Sequence, residues 1–155
     1  MPLQISELTI LSAPARYTDD TEWRRNNYTD WTTTPEGEQA QAEYGEALYT
    51  VLYSHPAVNA ITWWDLTDYG AWQNAPAGML RADMSPKPLY QRLYELVWQE
   101  WATHVCGQVL RGSELTVDCA AGDHAIDIQM PCGRALQGQF TVPVGYTGTV
   151  QVSLA

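Results

Sequence analysis

Basic side chains are scarce in this sequence. Eight Lys and Arg oppose eighteen Asp and Glu, which gives a formal net charge of −10, and Lys87 is the only lysine. Phosphate backbones bind clusters of Lys and Arg, and the scattered arginines of this chain cannot form such a cluster. We therefore expect no nucleic-acid partner.

Long apolar runs are also missing. A membrane-spanning helix needs about 18 or more consecutive apolar residues, and no stretch of the sequence approaches that length. The first residues lack the charged and apolar regions of a signal peptide. Hydrophobic residues at 45% and charged residues at 17% are values typical of a globular chain. We expect no membrane partner.

Phenylalanine occurs once, whereas tryptophan occurs seven times and tyrosine nine times. Tryptophan and tyrosine combine an apolar ring face with a polar group. Such a bias is common where sugar rings stack on indole faces. It favours a carbohydrate ligand over an arbitrary one.

The three cysteines, Cys106, Cys119 and Cys132, cannot all form disulfides within one chain. One disulfide with a free thiol and three reduced thiols both remain open. Together with His124, the cysteines do not show the spacing of a structural zinc site. We expect neither a metal nor a cofactor.

The first two-thirds of the chain alternates strand and helix. The predicted elements are a strand over residues 3–11, a helix over 34–54, a strand over 58–66 and a helix that opens at 85–86. Thr34 as N-cap and Pro35 at the first helical position mark the start of the first helix. This order is typical of βα units on a parallel sheet. The connection over residues 12–34 is long, as functional loops often are.

Each predicted helix carries an apolar stripe that we expect to pack on the sheet. The stripes comprise Tyr44, Ala47, Leu48, Val51 and Leu52 on the first helix, and Tyr90, Leu93, Tyr94, Val97, Trp98 and Trp101 on the second. The strand over residues 58–66 is mostly apolar, which predicts burial on both faces.

The pattern changes near Cys106. Residues 105–155 show no helical period and instead alternate polar and apolar residues over 114–118, 124–130, 139–142 and 149–154. Glycines between these segments indicate turns. The sequence therefore predicts two domains, 1–104 and a small antiparallel β module over 105–155.

Two motifs, the second of them continued by a Pro-Lys-Pro helix, resemble glycoside hydrolase family 10, the endo-β-1,4-xylanases with a (β/α)₈ barrel. Ile-Ser-Glu-Leu-Thr at residues 5–9 is similar to the Ile-Thr-Glu-Leu-Asp of the family's seventh strand. Trp-Asp-Leu-Thr-Asp-Tyr-Gly-Ala-Trp at residues 64–72 resembles the Trp-Gly-x-x-Asp-x-x-Ser-Trp of its eighth strand and loop. Pro-Lys-Pro-Leu-Tyr at residues 86–90 resembles the Pro-Lys-Pro-Ala-Tyr helix that follows. The fold class that this implies is α/β: a partial (β/α)₈ barrel, the last two βα units, followed by the antiparallel module.

The resemblance also implies roles for individual residues. Glu7 takes the position of the catalytic nucleophile, at the carboxyl end of a barrel strand. Trp64 takes that of the tryptophan that floors the sugar beside the cleaved bond, and Trp72 that of the one that closes over it. Asp68 corresponds to a structural acid. The function implied is the C-terminal part of a retaining hydrolase that acts on β-1,4-linked plant polysaccharide such as xylan, with a polysaccharide or oligosaccharide as partner.

The chain departs from the family at two positions and lacks one group. Thr9 replaces the family's Asp, and Asp65 replaces its Gly. The acid/base glutamate has no counterpart, although retaining glycosidases need two carboxyl groups about 5–5.5 Å apart. We therefore expect the isolated chain to be inactive, and we interpret Met1 as an internal start or a truncated gene model. The parent enzyme would be secreted or periplasmic. Unpaired strand edges and bare apolar faces predict self-association of the truncated chain.

A non-enzymatic alternative remains open. The β module could bind glycan or another protein and carry a vestigial barrel remnant. Phe140 and Tyr146 are the module's only aromatic residues, however, which is few for a surface on which sugars stack.

Overall fold

The computed structural model describes residues 1–16, 28–110 and 112–152, and contacts divide the chain into two units, Met1–Glu100 and Trp101–Ala155. The first unit contains strand β1 (Leu3–Leu8), helix α1 (Pro35–Ser54), strand β2 (Val58–Trp63), a 3₁₀ turn (Trp72–Asn74), helix α2 (Pro88–Glu95) and a π-turn (Leu96–Glu100). The second unit contains strands β3 (Gly122–Gln129) and β4 (Ala135–Val142). The loop predicted at 12–34 is described except for residues 17–27, which lie outside the described ranges.

The strands β1 and β2 pair in parallel, as the strand–helix order predicts. Their register joins Ile5 to Ile61 and Leu8 to Trp63. Over this step β1 advances by three residues and β2 by two, so β1 contains one extra residue at Ser6 or Glu7. Such a bulge bends a strand and changes the direction of a side chain.

Helix α1 begins where the sequence predicts. The Thr34 side chain accepts a hydrogen bond from the Gly37 N–H at 3.0 Å, and Pro35 occupies the first turn. The helix ends at Ser54, and the N–H of His55 donates to the carbonyl of Leu52 at 3.2 Å. The predicted start and end of this helix are thus confirmed.

The face of α1 that the protein buries is not the predicted apolar stripe. Tyr44 is 61% exposed and Val51 is 64% exposed, whereas Glu38 and Gln41 are buried. The two polar side chains are covered because each has partners: Glu38 binds Arg81, and the Gln41 amide donates to the Ile10 carbonyl at 2.7 Å. The stripe prediction is wrong here because helical periodicity does not identify which side finds partners.

Helix α2 gives a similar correction. Leu89, Leu93 and Leu96 are buried, and of these only Leu93 belongs to the predicted stripe. Trp98 is 61% exposed, so its assignment to core packing is wrong. The two helices contact each other closely at Gly45, where an added Cβ would collide with the Leu89 side chain.

The expected partial (β/α)₈ barrel is also wrong. In the described residues, β1 pairs with β2 and β3 with β4, which gives two separate two-stranded sheets accompanied by two α-helices. A barrel wall requires each strand to pair on both sides. Nor is β2 buried on both faces, since Asn59 and Thr62 are exposed.

The second unit is smaller than the four-stranded module predicted for it. β3 and β4 form an antiparallel hairpin with continuous register from Gly122–Val142 to Gln129–Ala135. Residues 114–118 and 149–152 are not strands, and 153–154 lie outside the described residues. Alternation alone predicted these outer strands, but a strand also needs a partner.

Candidate active site

The predicted nucleophile lies at the carboxyl end of the β1–β2 sheet. Glu7 is exposed and occupies the bulged step of β1. One residue further, the carbonyl of Leu8 accepts a hydrogen bond from the Trp64 N–H at 2.8 Å. Parallel pairing therefore brings Glu7 and Trp64 to the same edge of the sheet, on neighbouring strand ends.

The two predicted sugar-binding tryptophans are both accessible. Trp64 is 46% exposed and Trp72 is 56% exposed. The preceding residue, Trp63, is half-buried, and its indole N–H donates to the Ala77 carbonyl at 3.0 Å. Strand alternation explains the contrast, because successive side chains point to opposite faces.

Both departures from the family motif make contacts around Trp64. The Thr9 hydroxyl donates to the Trp64 carbonyl, which adds a link between the ends of the two strands. The Asp65 carboxylate accepts a hydrogen bond from the Trp72 N–H at 2.8 Å. The peptide bond between Trp64 and Asp65 is cis. Thr9 and Asp65 therefore hold the elements that carry the tryptophans.

The backbone directly after Trp72 adopts an uncommon conformation. Gln73 has φ of 58° and Asn74 has φ of 54°, in the left-handed region that side-chain-bearing residues rarely enter. Such residues cost free energy and are concentrated at functional sites. This strain is consistent with a loop that is held in place to present Trp72.

A buried ion pair supports the base of the same loop. The Lys87 ammonium, which is fully buried, lies 2.8 Å from one Asp68 carboxylate oxygen and donates to Ser12 Oγ at 2.9 Å. The other Asp68 oxygen also accepts from the Gly78 N–H at 2.8 Å. Burial lowers the pKa of Lys87, while the hydrogen bond to Asp68 acts in the opposite direction.

The Ser12 and Lys87 pair is not a nucleophile and base. Both side chains are inaccessible, and the ammonium is neutralised by Asp68. The Ser12 hydroxyl is itself engaged, since it donates to the Pro76 carbonyl at 2.6 Å. These contacts connect the segments around Ser12, Asp68 and Pro76 to Lys87, so we assign the pair a structural role.

A second ion pair fixes the amino end of α1. Glu38 is buried and accepts from the guanidinium of Arg81, with Nε–Oε1 at 2.8 Å. The Thr33 hydroxyl donates to the same oxygen at 3.1 Å. The hydrogen bond to Glu38 raises the pKa of Arg81. The pair therefore joins the loop after Leu80 to the start of the helix.

The hairpin of the second unit offers little for sugar stacking. The Phe140 ring is stacked on His124, with ring centroids 5.0 Å apart and planes at 19°, so one face of Phe140 is covered. His124 Nε2 lies 2.8 Å from the Ala120 carbonyl. Tyr146 is 48% exposed, and its hydroxyl donates to the Thr149 carbonyl at 3.3 Å.

Comparison with known proteins assigns no family to this chain, and a search of the described residues finds neither a metal site nor a membrane-spanning helix. A scan against protein-family models finds no match, and a search of curated proteins finds no significant similarity. Within residues 1–16, 28–110 and 112–152, no three His, Cys, Asp or Glu side chains are grouped to hold a metal ion. No helix in those ranges is long and apolar enough to cross a membrane.

Sequence reasoning missed the contributions of Lys87 and Asp65. Lys87 was identified only as part of the Pro-Lys-Pro motif, and its burial was not predicted. One signal was available: it is the only lysine of the chain and lies between two prolines. Asp65 was marked by its replacement of the family's Gly, but its partner, the backbone N–H of Trp72, was not predicted.

Proposed function

We propose that this chain is the C-terminal part of a retaining glycoside hydrolase that acts on β-1,4-linked plant polysaccharide such as xylan. Glu7 attacks the anomeric carbon, and Trp64 and Trp72 provide the aromatic surfaces that hold the sugar. The observation that carries the proposal is the position of Glu7: exposed, on a bulge, at a strand's carboxyl end and beside the exposed Trp64.

The nearby acids support the assignment of Glu7 by elimination. Asp65 accepts from the Trp72 N–H, and Asp68 is held by Lys87 and Gly78. Both carboxylates are engaged in fixing the loop, so of these three described acids Glu7 is the exposed one.

A second carboxylic acid is still required to protonate the leaving oxygen. We propose that it comes from a segment outside these 155 residues. General acid–base catalysis contributes about 10²–10⁴-fold to rate. The isolated chain should therefore release no more reducing sugar from xylan than its Glu7→Gln variant.

An activated substrate separates the nucleophile from the missing acid. Dinitrophenolate leaves without protonation, and a 2-fluoro substituent slows breakdown of the glycosyl-enzyme. We expect Glu7 to displace 2,4-dinitrophenolate from 2,4-dinitrophenyl 2-deoxy-2-fluoro-β-xylobioside. The chain would then carry one 2-deoxy-2-fluoroxylobiosyl ester, located on Glu7 by peptide mass spectrometry.

Glu7→Gln should abolish this labelling. Glu43→Gln, which changes an exposed glutamate on α1, should be labelled like the wild type. Absence of a wild-type adduct, or an adduct that persists in Glu7→Gln, would refute the proposal.

A further inference from the structure

Asp65 links the two exposed tryptophans. It follows Trp64 directly in the chain, and its carboxylate accepts the Trp72 N–H at 2.8 Å, seven residues further on. The hydrogen bond closes a loop of residues 65–72. Trp64 lies directly before the first residue of this loop, and Trp72 is its last residue. The N–H of Trp72 is the first donor of a 3₁₀ turn, a position that lacks a partner within the turn itself.

The other half of this loop is held independently. The Asp68 N–H donates to the Leu80 carbonyl at 3.0 Å, and the Gly78 N–H donates to the Asp68 carboxylate at 2.8 Å. The Lys87 ammonium also binds that carboxylate, with Nζ 2.8 Å from Asp68 Oδ2. The Asp65 bond acts at the opposite end, on the residue whose ring is exposed.

We infer that Asp65 is a positioning residue that sets the separation between the Trp64 and Trp72 rings, and so the width of the sugar site. The inference rests on the proposed function. It also assigns the Asp65 carboxylate a contact with backbone instead of with sugar, because the N–H of Trp72 already occupies one of its oxygens.

The experiment first measures the ring position without any sugar. The protein is labelled with 5-fluorotryptophan, and Trp72→Phe identifies the Trp72 signal in the ¹⁹F NMR spectrum. Asp65→Ala should shift or broaden that signal. Asp65→Asn keeps an amide oxygen as acceptor and should preserve it.

The matched control is Asp83→Ala. Asp83 also accepts a loop N–H, from Ser85 at 2.9 Å, but it lies outside the segment that carries the tryptophans. This variant should leave the Trp72 signal in place.

The second measurement is the affinity for xylotetraose by titration calorimetry. Loss of a charge-assisted hydrogen bond that orders a ring should weaken binding about five- to tenfold in Asp65→Ala. Asp65→Asn and Asp83→Ala should bind like the wild type.

The outcomes separate the two proposals. An unchanged Trp72 signal in Asp65→Ala, or a signal that moves equally in Asp65→Asn, overturns the positioning role. A shifted signal with unchanged affinity overturns the link to site width. If the wild type does not bind xylotetraose while the signal responds as expected, the glycosidase proposal fails and the hydrogen bond to Trp72 is upheld.

Discussion

Removing the charge of Lys87 should be among the most damaging single substitutions in this chain. The Lys87 side chain is 0% exposed and that of Asp68 is 11% exposed. Lys87→Met keeps the length of the side chain but leaves the Asp68 carboxylate buried without its counterion. Breaking a buried ion pair from one side costs about 3–5 kcal/mol, a large fraction of the 5–15 kcal/mol total of a typical domain.

A double-mutant cycle in urea tests this value. Asp68→Asn should cost about as much as Lys87→Met, because it leaves the ammonium unpaired. The double variant removes both charges and keeps an acceptor for the Gly78 N–H. It should therefore be less destabilised than the sum of the single variants by at least about 2 kcal/mol.

The matched control is an exposed pair. The Arg16 Nη1 atom lies 2.6 Å from Asp30 Oδ1, and the two side chains are 38% and 76% exposed. Solvent screening limits such pairs to about 0–1 kcal/mol, so Arg16→Met should be nearly neutral. The reasoning is refuted if Lys87→Met shifts the urea midpoint no more than Arg16→Met does, or if the two substitutions in the cycle are additive.

Four further substitutions have defined expected outcomes. Burial raises the pKa of Tyr49 above 10.0, so the folded chain keeps a proton that the unfolded chain loses, and stability falls as the pH rises past that value. Tyr49→Phe should therefore lose less unfolding free energy than the wild type between about pH 9 and 11. Gly45→Ala should cost about 1–3 kcal/mol through the collision with Leu89, measured in urea against a near-neutral Glu43→Ala. Trp98→Ala should cost less than about 1 kcal/mol of stability, because the side chain is 61% exposed. Trp72→Ala should leave the melting temperature nearly unchanged but bind xylotetraose about tenfold more weakly. A large fall in the melting temperature of Trp98→Ala would show that its ring is packed.

Local features of this fold could be predicted from the sequence. Thr34 followed by Pro35 identifies the start of α1 because the cap satisfies donors within three residues. The parallel pairing of β1 and β2 follows from the intervening helix. The position of Glu7 beside Trp64 could be expected for the same reason.

Burial could not be predicted, because it depends on partners that are distant in sequence. Ser12 meets Lys87 across 75 positions, and Glu38 meets Arg81 across 43. These contacts bury polar side chains, while the apolar stripe of Tyr44 and Val51 stays exposed. Helical periodicity and composition contain no information on such pairings. The barrel expectation failed for the same reason, since it assumed strand neighbours that the described residues do not contain.

Burial protects the Lys87 ammonium of the folded chain from reagents that acylate amines, whereas the α-amino group of the exposed Met1 reacts separately. Lys87 is the only lysine, so acylation that peptide mass spectrometry locates at position 87 reports only on molecules in which its surroundings have opened. The labelling rate at one site would then measure the free energy of that opening, as amide exchange does for backbone groups. Because the same ammonium holds the loop that bears Trp72, this rate would also show how often that loop loses its anchor.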